Sequence, residues 1–101
     1  MGLTLTGSEK RALRARGQLL EDALRVGREG ASPAVVRELD RLLAARELVK
    51  IRFMDTERDA RARLADVLAN ATNSACAGAV GHTALFYRPQ GVPPAKPEGT
   101  G

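Results

Sequence analysis

Leu48-Val49-Lys50-Ile51-Arg52-Phe53 alternates apolar and basic side chains between two stretches of helical periodicity. A period of two makes this segment a strand with one face buried. Before it, Ser32-Pro33 opens a helix, with Ser as N-cap and Pro at the first helical position, where no N–H is needed. Val35, Val36, Leu39, Leu42 and Leu43 then recur at helical spacing, with Arg37, Glu38, Asp40 and Arg41 between them. After the strand, Asp55 or Thr56 is expected to cap a third helix whose inner stripe is Ala60, Leu64, Val67, Leu68 and Ala71. A strand held between helices argues for crossover connections and a mixed sheet with helices packed on it.

The flanks extend the pattern. Thr6-Gly7-Ser8-Glu9 fits a capping box, in which hydroxyl and carboxylate each satisfy an orphan N–H, so the first helix begins at Thr6. Gly17 is expected to end it. Ala23-Leu24-Arg25-Val26 reads as a short strand leading into Gly27. Near the other end, Ala75 to Val80 and Thr83-Ala84-Leu85-Phe86-Tyr87 read as a hairpin closed by Gly81-His82. The predicted fold is a compact α/β domain of order α-β-α-β-α-β-β. The chain's 101 residues allow one domain with a modest core. That domain is assigned to residues 1–89. The Pro/Gly-rich stretch that begins near Arg88 cannot bury apolar surface and reads as a disordered tail, 90–101.

Charge narrows the partner. Sixteen Lys and Arg oppose twelve Asp and Glu, a formal charge of +4, and the surplus lies in the first 54 residues. A basic balance leans towards a polyanion such as nucleic acid. Only Phe53, Phe86 and Tyr87 are aromatic, and all three fall in expected core strands. Modules that read single-stranded RNA on an open sheet stack bases on several rings. A nucleic-acid binder of this composition would therefore grip backbone more than base faces.

Gly27-Arg28-Glu29-Gly30 is the informative motif, because it joins a strand to the Ser32-Pro33 helix start. Two glycines permit a tight turn and close approach of a ligand, and a helix N-terminus follows as a site for phosphate. A GxxG loop clamping a nucleic-acid backbone is a device of KH domains; the competing reading is an ordinary turn. Lys10, Arg11 and Arg14 share one helix face, and Lys50 and Arg52 one strand face. Each set could line a groove or could simply be a solvated surface.

Catalysis finds little support. With one histidine, His82, and one cysteine, Cys76, there is no imidazole pair for metal or acid–base work, and no disulfide within the chain. His82 falls in the hairpin turn and Cys76 among small packed residues. Asp55, Glu57 and Asp59 open a helix, where carboxylates suit the dipole. No Walker-type loop occurs. The expectation is a binder without cofactor or metal, not an enzyme. No apolar run approaches a membrane span, and the opening Met1-Gly2-Leu3-Thr4 lacks a signal-peptide layout, so a cytoplasmic protein with no membrane partner is expected.

Four segments together carry a resemblance. Leu5-Thr6 with Lys10-Arg11 and Leu13-Arg14, Val26-Gly27-Arg28-Glu29-Gly30, Glu47-Leu48-Val49-Lys50-Ile51-Arg52, and Gly81-His82-Thr83-Ala84-Leu85-Phe86-Tyr87-Arg88-Pro89 resemble the CRM domain (chloroplast RNA splicing and ribosome maturation), in particular its stand-alone bacterial YhbY-like members. The resemblance covers about residues 5–89. It implies a four-stranded mixed sheet similar to the C-terminal domain of translation initiation factor three. It also implies a monomeric RNA-binding protein acting on structured rRNA in precursors of the large ribosomal subunit. Transferred by position, the RNA-binding residues are Gly27, Arg28, Glu29 and Gly30, with Lys10, Arg11, Arg14, Lys50 and Arg52 as basic support. Arg28 and His82 stand where the family commonly has Lys, and Glu29 adds a carboxylate to a loop meant to face phosphate. The alternative reading is a protein-interaction module that docks on a ribosomal protein or assembly factor through the sheet surface.

Overall fold

The structure is a computed structural model that describes residues 4–90. Helix α1 spans Gly7–Gly17, β1 Leu24–Val26, α2 Pro33–Arg46, β2 Leu48–Phe53, α3 Arg58–Ala71, β3 Ala75–Val80 and β4 Thr83–Tyr87. The order is the one read from the sequence. Sheet order is β1-β2-β4-β3; β1 runs parallel to β2, while β4 is antiparallel to both β2 and β3. The parallel pair is the one joined through α2, as a crossover requires.

Two cores lie on opposite faces of the sheet. Strand residues Val26, Val49, Ile51, Phe53, Ala84 and Phe86 meet Leu39, Leu43 and Leu68 of α2 and α3 in the larger one. On the other face Leu13 of α1 packs with Leu48, Ala77 and Leu85. Phe53 and Phe86 are fully buried, so neither ring is available for stacking. Alternation in β2 thus sends Val49, Ile51 and Phe53 one way and Leu48, Lys50 and Arg52 the other. Helix α1 covers the second face over β3, β4 and the adjoining part of β2, and the connection 18–23 runs beside Lys50 and Arg52.

The capping box is formed: Glu9 N–H donates to Thr6 Oγ1 (3.1 Å) and Thr6 N–H to Glu9 Oε1 (2.8 Å). Ser32 caps α2, its Oγ accepting from Val35 N–H at 3.3 Å. The hairpin turn is two residues long, with Gly81 at φ +59 as the first central residue, the arrangement of a II′ turn.

Two expectations for α3 need correction. Glu57, not Asp55 or Thr56, is the N-cap of α3, and its side chain makes no capping bond. Asp55 lies at φ +53, outside N-cap geometry, and Thr56 Oγ1 instead donates to the Met54 carbonyl at 2.8 Å. Val67 is 50% exposed, because α3 presents Ala65, Leu68 and Ala69 inward and Val67 falls off that stripe. Gly17 ends α1, as expected, though without left-handed geometry. It is the last helical residue, followed by Gln18 in the right-handed region, and it lets the helix approach β4: a Cβ there would lie 2.3 Å from Leu85 Cδ1.

Arg88, read from the sequence as the edge of a tail, is a core residue. Its side chain is 3% exposed and donates to Asp40 Oδ1 (2.6 Å), the Thr72 carbonyl (2.8 Å) and the Asp40 carbonyl (3.1 Å). Its N–H donates to the Glu47 carbonyl, and Gln90 N–H to Glu47 Oε2 at 2.8 Å, so the chain is tied down through residue 90. The rest of the expected tail, 91–101, lies outside the described residues, as does the opening 1–3.

Candidate nucleic-acid interface

The glycine loop is a single tight turn at the C-terminal end of β1. Gly30 N–H donates to the Gly27 carbonyl at 3.1 Å, which leaves Arg28 and Glu29 at the corners, both exposed. Gly30 has φ +59 and is buried, and a Cβ there would meet Leu64 Cδ2 at 3.1 Å. Backbone and packing both require glycine at that position. Gly27 has no positive φ; a Cβ there would meet only Glu29 Oε1, at 3.1 Å. The Glu29 carboxylate therefore folds back over Gly27, while Arg28 makes no hydrogen bond or ion pair within the described residues. Ser32 Oγ already holds the Val35 N–H and Pro33 has none, so the α2 terminus keeps fewer free donors than the usual four.

Lys50 and Arg52 point to the α1 side of the sheet. Lys50 Nζ donates to the Leu20 carbonyl at 2.9 Å. The register pairs Arg52 with Arg25 of β1, and Asp22 stands between the two guanidiniums, Oδ2 3.2 Å from Arg25 Nε and Oδ1 3.5 Å from Arg52 Nε. The hydrogen bond from Arg25, with the charge of Arg52 behind it, holds the Asp22 carboxyl below its usual pKa. Arg25, Lys50 and Arg52 line an open cavity of about 570 Å³.

Helix α1 adds to this face. Arg14 lies across Gly78, where a Cβ would come within 2.7 Å of its Cδ, and its Nη1 donates to the Ala77 carbonyl at 3.4 Å. Arg14 and Lys50 both line an adjoining cavity of about 240 Å³. Lys10 and Arg11 continue the exposed flank of the helix on which Arg14 stands. The nearest sequence-predicted cations thus meet around Lys50, and the row reaches the glycine loop through Arg25, two residues before Gly27. Arg25 is absent from the set that the sequence singles out. Its signal is the alternation Leu24-Arg25-Val26, which places it on the Arg52 face only once the register is known.

The groups considered for chemistry lie elsewhere. Burial pushes the Cys76 thiol up, away from thiolate character. His82 is exposed, with Nδ1 3.3 Å from Arg61 Nη1. Among the described residues no group of three His, Cys, Asp or Glu side chains could hold a metal ion, and no helix is long and apolar enough to cross a membrane.

The family profile of the CRS1 / YhbY (CRM) domain matches residues 5–88. The chain belongs to the CRM domain family. Within it, the probable RNA-binding protein MJ0652 of Methanocaldococcus jannaschii is 36% identical over 88 residues, covering 85% of this chain and 65% of that longer protein. The probable RNA-binding protein PA4753 of Pseudomonas aeruginosa is 34% identical over 86 residues, covering 85% of this chain and 83% of the relative. The solution structure of SAV1595 from Staphylococcus aureus, described as a candidate RNA-binding protein, superposes with a TM-score of 0.78 at 29% identity. That match covers 86% of this chain and 91% of the other. The CRM fold is therefore the fold of this chain, four-stranded mixed sheet included.

Proposed function

We propose that this CRM domain is an RNA-binding protein that holds structured rRNA by its phosphate backbone and assists assembly of the large ribosomal subunit. The observation that carries the reading is the row Arg14, Lys50, Arg52 and Arg25 on one face, running towards the exposed Arg28 of the glycine turn. Phosphates along an RNA strand can be neutralised by such a row without any base being read. Burial of Phe53 and Phe86 supports the same mode, since stacking platforms need exposed rings. Relatives named as RNA-binding proteins support RNA as the polyanion.

In this reading Gly30 shapes the turn, Arg28 meets phosphate at its corner, and Lys10 and Arg11 extend the binding surface along α1. The protein works as a monomer in the cytoplasm, as a binder and not a catalyst. Crosslinking in cells followed by sequencing of bound RNA tests it: large-subunit rRNA should dominate the recovered fragments. Recovery of messenger or transfer RNA in its place would remove the ribosomal assignment, and no RNA above background would remove the function.

A further inference from the structure

At the end of the sheet away from the glycine loop, the connection from α1 to β1 crosses beside the start of β2. A cavity of about 540 Å³ opens there, lined by Arg16, Leu19, Leu20, Ala23, Arg46 and Leu48 among others. Leu19 is 88% exposed and Leu20 stands partly out beside it. Neither is a frayed end. Leu19 N–H donates to the Arg16 carbonyl, Leu20 N–H to Gly17 and Ala23 N–H to Lys50, while Lys50 Nζ holds the Leu20 carbonyl. Two leucines are thus fixed in water at the mouth of a mostly apolar cleft, an arrangement that costs apolar hydration unless something covers it.

The rim gives the occupant its charge. Arg16 and Arg46 are exposed and make no ion pair among the described residues. Each sits in the last turn of its helix, where a cation favours the dipole. That role explains the arginines but not Leu19. Among the described residues, Glu21 is the one carboxylate in the lining. The walls between the two cations are aliphatic, from Leu19, Leu20, Ala23 and Leu48, which offer phosphates no donors there but suit leucine-like side chains flanked by carboxylates. We propose that this cleft docks an acidic segment of a protein partner, anchored by large apolar side chains against Leu19 and Leu20 and oriented by Arg16 and Arg46. Its residues are separate from those assigned to RNA, apart from Lys50 behind the loop.

The test uses the full chain, labelled with nitrogen-15. The probes are a panel of short synthetic peptides with paired leucines among Asp and Glu, the same peptides with Lys in place of the acids, and a short hairpin oligoribonucleotide. Acidic peptides should shift amides within 16–23 and 46–50. Leu19→Asp and Arg46→Glu should each weaken that binding at least about tenfold, as expected of a central anchor. RNA affinity should be unchanged in both variants, so failure of the parent chain to bind RNA would count against the RNA reading alone. Leu19 is exposed, so its replacement should leave the amide spectrum folded; Leu19→Ala serves as a second variant if Asp does not. Failure of every acidic peptide, equal binding of the Lys peptides, oligoribonucleotide shifts at the same amides, or full binding by both Leu19 variants would each overturn the proposal.

Discussion

Arg25 and Arg52 are partners across the parallel β1–β2 ladder, and both guanidiniums reach the carboxylate of Asp22. The face proposed for phosphate thus carries its own counter-anion. Two cations so close repel each other, and Asp22 offsets that repulsion when no RNA is bound.

Replacing Asp22 with Asn keeps the shape and removes the charge. Both arginines are then free for phosphate, so RNA affinity should rise a few-fold at low salt, and the dependence on salt should steepen by about one released counterion. Fluorescence anisotropy with a labelled rRNA fragment measures both. Unchanged affinity would mean that RNA does not pass over Arg25 and Arg52.

The same arrangement sets a pH signature. Asp22 titrates below its ordinary value of 3.8, because Arg25 donates to its charged form. A depressed carboxyl contributes stability above its unfolded pKa, and that contribution is lost as pH falls through the folded value. The stability due to Asp22 should therefore stay constant from neutrality to about pH 5 and decline only below the ordinary carboxylate range. Carbon-13 titration of the carboxyl should give a midpoint under 3.8, moving up towards it in Arg25→Ala.

Arg88 tests the fold independently of RNA. Its guanidinium ties α2 through Asp40 to the end of α3 through the Thr72 carbonyl. Arg88→Ala leaves that buried carbonyl without a donor and should cost about 3 kcal/mol in urea unfolding. Asp40→Ala should also destabilise, since it leaves the buried guanidinium without its carboxylate. The double variant should cost less than the two single costs added together.

The two loop glycines should separate. Gly30→Ala forces a left-handed alanine against Leu64 and should cost about 1–3 kcal/mol. Gly27→Ala meets only the far end of the Glu29 side chain and should stay within about 0.5 kcal/mol. Thermal denaturation of both variants decides it. Equal costs would contradict the turn geometry described above.

These residues also mark what a sequence can reveal. Caps at Thr6 and Ser32, the alternation in β2 and the Gly81-His82 turn are local devices, and each lies where local rules put it. The features missed or misplaced depend on tertiary partners. Gly17 ends α1 where expected, but its close approach to Leu85 shows only in the tertiary structure. In the Ala-rich α3 two apolar stripes overlap, and only the sheet chooses the one without Val67. An arginine before Pro89 looks solvent-bound, since charge is rarely buried unless paired, and Arg88's partner is 48 residues away. For the candidate site, α1, the loop and β2 each offered cations, but Arg25 and its link to Arg52 required the register.

The most direct test of backbone recognition is the slope of log affinity against log salt for an rRNA fragment. The parent chain should be compared with one carrying Arg14→Gln, Arg28→Gln, Lys50→Gln and Arg52→Gln together. Binding should weaken, and the slope should fall by about 0.7–0.9 for each phosphate that is no longer neutralised. An unchanged slope in the folded variant would contradict backbone recognition.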